Sequence, residues 1–572
     1  MRILFENYAY NKKSIENIVP EWMLRIGTNA DSVNLPYVGY LWSHTAGDVV
    51  FFLPKIFIDD SGMAFCSILP EQLLSSADYK SLNNSALSKR LYSLSLWIYE
   101  SIRVYRDNSK DYEVKLSEED AAKCVISYRK GKQSHTMMEL YFSFLDFYKE
   151  NRNIFIRKKY STNKGDKVNW HKTVNKISPF IQNNNPFYLA QKTTVNRIDY
   201  DEELISMYFS VLEYFRGNFG CKIAVDGGYK LIKGHHFLNL LSGKGLKILN
   251  RLKNRYYSDV FVNLWKLLYE FFDFYSNISL SNDYEEALLT NNYPIVFESM
   301  VDSLIGDDDS QSEIPRYYKD QKDGKIIDHI YRESDLFSDD EIYFIGDSKY
   351  YKSGAFAVGS SVEKQFTYAK NVIQYSTDPY LLHSQSRLRY RDDVTEGYNI
   401  TPNFFISAVI DDEYDASKDN IKIIGKPEFS CQFKNRLFDR DTLSVHRYSI
   451  NFLFVLSAYI SKDRFIKNNF KKRARRKFRE DIILYVNERY QLFKIYHDMF
   501  TSNEQIINSN FRRFSGQMYS LKDEDKFFIL AYDREFIQEN SNLSINEELE
   551  RIECDLMKIE GVGQVLPYKL PL

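Results

Sequence analysis

The run Ile342-Tyr-Phe-Ile-Gly-Asp-Ser-Lys349 reads as an apolar strand that ends in an acid and an amine. Alternate side chains of a strand share a face, so the Asp347 carboxylate and the Lys349 ammonium project side by side. A second acid, Asp328, sits in Lys325-Ile-Ile-Asp-His-Ile-Tyr331 among apolar neighbours, where an ionised carboxylate is costly without a partner. If the two runs pair as a hairpin through residues 332–340, Asp328 and Asp347 converge. Two close carboxylates repel, and a hard divalent cation held by oxygen ligands relieves that repulsion. Such a site polarises a phosphodiester and activates water. Lys349 is then placed to orient or deprotonate the water, or to neutralise charge growing on phosphorus.

Periodicity places these residues on a defined series of elements. Pro294 fits the first turn of a helix, and Ile295, Phe297, Met300, Val301 and Leu304 continue its apolar stripe to Gly306. Glu298 projects from that helix one turn before Asp302, within reach of the same metal. Short strand-like runs follow at Ile314–Tyr318, Lys325–Tyr331 and Glu341–Tyr351. A helix is expected over Val362–Tyr375, then a fully apolar strand over Phe404–Ile410. The order is helix, three strands, helix, strand. Gln365, near the start of the second helix, is expected to hydrogen-bond Lys349 or the attacking water. Fifteen acids and six bases lie between Glu298 and Lys349, so an ordinary solvated charge is the competing account of any single carboxylate. The ordered set, on matching elements, carries the argument.

The rest of the chain supplies context. Its 572 residues hold 76 Lys and Arg against 78 acids, which excludes a uniformly polycationic DNA-coating protein but not a local basic patch. No apolar run reaches membrane-spanning length, the start of the chain lacks the features of a secretory leader, and five scattered cysteines form no Cys-x-x-Cys pair. A reducing cytoplasm and no membrane are the expectation. Four segments are expected: a mixed N-terminal domain over 1–155, a mainly helical linking domain over 156–292, the block above over 293–460, and a basic helical C-terminal region over 461–572. Residues 442–460 and 478–500 read as helical. The segment Lys462–Arg479 carries ten Lys or Arg and one acid, Asp463. Lys471, Lys472, Arg473, Arg475 and Arg476 are its candidates for phosphate contact, a solvated linker being the alternative. His235, His236 and His329 lack a third ligand at metal-binding spacing and are expected to be surface or hydrogen-bonded histidines.

Glu298, Asp328, Asp347-Ser-Lys349 and Gln365-Phe-Thr-Tyr368 together resemble the PD-(D/E)xK nuclease superfamily. More narrowly, Phe297–Gly306, Asp328–Tyr331 and Ile345–Tyr351 resemble the nuclease subunits of McrBC-like and LlaJI-type restriction systems, and Gly165-Asp-Lys-Val-Asn-Trp-His-Lys-Thr173 is similar to a Gly…Trp-x-x-Thr segment of those subunits. The resemblance implies a multidomain α/β and α chain with a PD-(D/E)xK core. It implies an Mg²⁺-dependent DNA endonuclease, with Mn²⁺ as a substitute, in which Asp328, Asp347 and the Ser348 carbonyl bind metal and Glu298 assists. It also implies double-stranded DNA as substrate, a separate McrB-like AAA+ GTPase or NTPase ring as partner, docked through the N-terminal part, and a dimer within the assembly. No Gly-Lys pair of this chain is followed by Ser or Thr, so no P-loop is present and the motor is expected elsewhere. Two other readings stay open: a non-cleaving adaptor that stimulates the ring, and a RecB-like exonuclease or resolvase.

Overall fold

A computed structural model describes residues 2–24, 31–43, 48–65, 68–74, 85–108, 126–130, 137–162, 167–219, 228–278, 285–307, 318, 326–351, 360–378, 388–410, 414–461, 463–521 and 526–572. The fold is mixed α/β, with several separate sheets. An N-terminal five-stranded sheet runs in the order Arg2–Phe5, Asp48–Leu53, Val38–Ser43, Glu285–Thr290 and Ile126–Lys130. Its fourth member comes from the end of the segment expected to link domains, so residues 285–290 close the N-terminal sheet. Helices Ser85–Asn108, Met137–Glu150, Glu203–Phe219 and Asp259–Ile278 accompany it. The expectation of a mainly helical 156–292 needs correction over 157–198. That stretch forms a three-stranded sheet (Arg157–Thr162, Thr193–Ile198, Lys167–Val168), a short helix Trp170–Lys176, and a hairpin of Phe180–Gln182 with Asn185–Phe187.

The central block contains helix α1 (Tyr293–Ile305), strands β1 (His329–Ser334) and β2 (Glu341–Lys349), helix α2 (Ser360–Thr377), strands β3 (Asn403–Val409) and β4 (Leu443–Asn451), helix α3 (Phe452–Ile460) and helix α4 (Arg464–Arg489). β1 and β2 form the antiparallel hairpin, with Ile330 opposite Ile345 and His329 opposite Gly346. β2, β3 and β4 then run parallel. β3 is buried almost throughout, as a mainly apolar interior strand requires. The weak strand expected at Ile314–Tyr318 lies, except for Tyr318, outside the described residues.

Two helical expectations fail for the same reason. Residues 443–451 form β4, and α3 starts only where the Asn451 side chain accepts the Leu453 amide. Tyr490–His497, expected to extend a helix, is a strand joined to Met518–Ser520, Phe527–Asp533 and Val562–Tyr568 in a four-stranded C-terminal sheet, so that region is mixed rather than helical. β4 is buried on all but one residue, and Tyr490–His497 on half of its residues, with the neighbours Leu492 and Phe493 both buried. An apolar run of that kind satisfies a helical pattern as readily as an interior strand.

One hydrophobic core continues from the N-terminal sheet through the central block into α4. Phe57 meets Phe452 edge to face at 5.8 Å, and Phe404 stacks on Phe478 at 4.6 Å. Among the described residues no helix is long and apolar enough to cross a membrane.

Candidate active site

The carboxyl end of β2 organises the site. Gly346 precedes Asp347 because the Phe404 ring of β3 occupies the space a Cβ would take. Asp347 is largely buried, and its Oδ2 pairs with Lys349 Nζ. Lys349 Nζ also lies 5.4 Å from the centroid of the Phe405 ring. Asp328, just before β1, accepts the Ser348 backbone amide at Oδ2 at 3.2 Å, which holds it against the same strand end.

The electrostatics link four side chains. Burial, then the charges of Asp347 and Glu298, push the Asp328 carboxyl up to about 9, and a hydrogen bond with Asp347 adds to the effect. Burial and the Asp347 charge push Glu298 up to about 7, opposed by Lys349 and Lys364. Burial works against the Lys349 ammonium, yet the Asp347 carboxylate outweighs it and raises the amine above its ordinary range. Asp328, Asp347, Glu298 and Lys349 are thus brought into one neighbourhood. They do not form a closed shell: among the described residues no group of three or more His, Cys, Asp or Glu is arranged as a ready metal cage.

Ser348 faces the other way from its two neighbours. Its Oγ lies 2.6 Å from His329 Nε2, and His329 Nδ1 lies 3.3 Å from Asp302 Oδ1 of α1. His329 is fully buried, so it is a hydrogen-bonded interior histidine. The chain Asp302–His329–Ser348 was not anticipated. Its only trace in the sequence is that His329 follows Asp328 and Ser348 follows Asp347, which puts both on the opposite strand face. Tyr350, one residue past Lys349, donates to the buried Glu6 carboxylate at 2.6 Å and so ties the strand end to the N-terminal sheet.

Gln365 makes no hydrogen bond to Lys349 among the described residues. It is buried on α2, its backbone carbonyl accepts from Asn403 Nδ2 at 3.0 Å, and its Oε1 has no hydrogen-bond partner among the described residues. The α2 residue that acts on the site is its neighbour Lys364, through Glu298.

The basic segment divides into two groups on α4. Lys471 Nζ donates to the Gly306 carbonyl at 2.6 Å, and Arg475 donates to the Ile305 carbonyl, pairs with Asp307 and lies 4.1 Å over the Tyr331 ring. Both therefore cap the carboxyl end of α1, where cations are favoured. Lys472, Arg473 and Arg476 are exposed, with Arg473 paired to Asp419 and Arg476 to Glu480. His235 and His236 lie on a separate short helix.

A protein-family model described as LlaJI restriction endonuclease matches residues 68–406, more than half of the chain. The chain belongs to the LlaJI restriction endonuclease family. Membership makes it a restriction nuclease in the coarse sense. The region matched in this LlaJI-family chain includes Glu298, Asp328, Asp347, Lys349 and Lys364, and ends before α4 and the C-terminal sheet. No curated protein and no solved structure matches it.

Proposed function

We propose that this LlaJI-family chain is an Mg²⁺-dependent DNA endonuclease, the cleavage subunit of an NTP-dependent, McrBC-like restriction system. α1, the β1–β2 hairpin, α2 and β3 serve as a PD-(D/E)xK core. The observation that carries the reading is the Asp328–Asp347 pair beside Lys349. A carboxyl pushed up to about 9, by burial first and by the Asp347 and Glu298 charges next, marks a buried acid cluster that resists full ionisation without a counter-charge. That donor set fits a hard divalent ion, with Asp328, Asp347 and the Ser348 carbonyl as ligands, Glu298 assisting, and Mn²⁺ as a substitute. When bound, the ion supplies Lewis-acid polarisation of the phosphate and a more acidic water.

The chain's own groups do the rest. The Ser348 amide orients Asp328, and Asp347 keeps Lys349 charged at the strand end. Lys349 stabilises negative charge on the phosphate and positions the attacking water. Residues 1–155 dock a separate AAA+ ring, and two nuclease copies act in the assembly to cut both strands of a duplex. The work of the chain then lies in the cytoplasm, where that ring and its DNA are found.

Incubating the purified chain with Mg²⁺, circular duplex DNA and the ring tests this. Cutting is expected for the parent and lost on Asp347→Ala or Lys349→Ala, with NTP turnover by the ring still stimulated. Full cutting by either variant rejects the assignment; stimulation without any nicking by the parent favours the adaptor.

A further inference from the structure

A nuclease that is acidic overall needs a basic surface for phosphates, and α4 supplies little. Lys471 and Arg475 cap α1, Arg479 donates to the Asp335 carbonyl, and Arg473, Arg476 and Lys477 pair with acids of the chain. Residues 157–198 are the opposite case. They hold nine Lys or Arg against a single acid, Asp166. Lys167, Lys172, Lys176 and Arg197 are exposed there, and none of them has an ion pair among the described residues.

The same stretch exposes apolar side chains to an unusual degree. Ile181 is 68% and Leu189 87% exposed, with Trp170, Val174, Phe180 and Phe187 also open to solvent. Every residue of the hairpin strands Phe180–Gln182 and Asn185–Phe187 is exposed, and among the described residues those strands pair only with each other. Asn183 and Asn184 carry the left-handed backbone (φ 54° and 65°) of a tight two-residue turn. A lone two-stranded ribbon is marginal in water, so this one is built to be covered. Its base is fixed. The buried Thr173 hydroxyl donates to the Asn169 carbonyl at 2.9 Å and accepts the Lys192 amide at 3.0 Å, while Trp170 meets Tyr188 edge to face at 6.5 Å. In the Trp170-x-x-Thr173 pair, Thr173 is structural and Trp170 is presented outward.

We propose that residues 157–198 form a duplex-DNA-binding module, its lysines on phosphates and its ribbon in a groove. The charge decides the occupant. A purely protein-docking ribbon has no need of nine cations with one acid, whereas each cation that neutralises a phosphate releases a condensed counterion from a polyanion. A two-stranded ribbon fits the major groove, where an exposed phenylalanine makes apolar contact with thymine methyl groups. The inference rests on the nuclease reading for its substrate and adds where that substrate is held.

The full-length chain carrying Asp347→Ala, which prevents cutting, is titrated onto a fluorescent duplex over a salt series. Replacing Lys167, Lys172 and Lys176 by Gln is expected to weaken binding about tenfold or more, and to reduce the slope of log K against log salt by about two to three. Phe180→Ser with Phe187→Ser is expected to weaken binding with the slope unchanged. All five positions are exposed, so melting temperatures stay at the parent value. Parental affinity and slope in the triple-Gln variant overturn the module. So does loss of association with the ring in either variant at unchanged DNA affinity, which makes the surface a protein dock. If the chain with Asp347 intact cuts DNA while the triple-Gln variant binds as the parent does, only the module falls. If the parent neither binds nor cuts, the nuclease reading falls as well.

Discussion

His329 Nε2 lies 2.6 Å from Ser348 Oγ, on the buried face of the hairpin whose other face carries the acids. A carboxylate only accepts, so in the neutral ring Nδ1 donates to Asp302 and Nε2 accepts the serine hydroxyl. The bond ties β1 to β2 at the point where Asp328 and Asp347 must meet, and Asp302 ties both to α1. Register and charge are therefore set by the same four residues, 328, 329, 347 and 348.

His329→Phe should remove this tie and leave the Ser348 hydroxyl buried without a partner. Unsatisfied buried groups cost about 1–3 kcal/mol each, so urea unfolding should show a loss of that order. Cleavage should fall further than stability explains, with a higher Mg²⁺ requirement, because Asp328 loses its fixed position. Ser348→Ala should show the same trend more weakly. Parental stability and Mg²⁺ dependence in His329→Phe would show that the tie does not hold the acids.

The metal-free chain should lose stability as pH rises. Asp328 titrates near 3.8 when unfolded and near 9 when folded, so between those values the folded state holds a proton that the unfolded state has released. Stability then falls with increasing pH across that window, and Glu298, raised to about 7, adds to the fall above its ordinary range. Thermal melts in EDTA at pH 5.5 and 8.5 should show a lower melting temperature at the higher pH, and Asp328→Asn should flatten the difference. Mg²⁺ should release protons on binding, measurable by calorimetry in buffers of different ionisation heat. An unchanged pH slope in Asp328→Asn would remove Asp328 as its source.

How much of this was legible beforehand depended on the element. The β1–β2 hairpin could be read because acids interrupt apolar runs at strand spacing, and a buried acid demands a partner. The helix carrying Glu298 could be read from its stripe and its proline. β4 could not, because a strand buried on both faces loses the alternation that distinguishes it from a helix, and in Tyr490–His497 the adjacent buried Leu492 and Phe493 break that alternation. The strand Glu285–Thr290 was hidden for a different reason. Its partners, Val38–Ser43 and Ile126–Lys130, lie more than 150 residues away, and nothing local records that pairing. Within the site, the burial of Gln365 could not be read from its place near the start of a helix, and α4 looked like a phosphate surface because charge counts do not show which cations cap a neighbouring helix.

Arg475 should prove structural. It donates to the last carbonyls of α1, pairs with Asp307 and covers the Tyr331 ring, and its side chain is largely buried. Hydrogen bonds to charged groups contribute about 1.5–3 kcal/mol, so Arg475→Met should destabilise the chain by about 2–3 kcal/mol in urea. The exposed Arg476, paired with Glu480, should cost under about 1 kcal/mol as Ala. Equal stability losses for the two variants would mean that the α1 cap contributes nothing.

Lys364 should set the pH at which Glu298 becomes useful. Glu298 is raised to about 7 by burial first and by the Asp347 charge second, and the positive charges of Lys349 and Lys364 pull it back. Lys364 is exposed on α2, so its removal leaves the core packing alone. With Lys364→Met one opposing charge is gone, and Glu298 must hold its proton to higher pH. If cleavage uses ionised Glu298, the acidic limb of the rate profile should move upward in pH at fixed Mg²⁺, with the plateau rate little changed. Glu298→Gln should abolish that dependence, so the double variant should behave as Glu298→Gln alone. High salt should shrink the shift, since an exposed lysine acts through a screened field. Single-turnover cleavage of a plasmid across pH 5.5–9 measures all of this, and an acidic limb that stays in place in Lys364→Met would mean that Glu298 does not govern the rate.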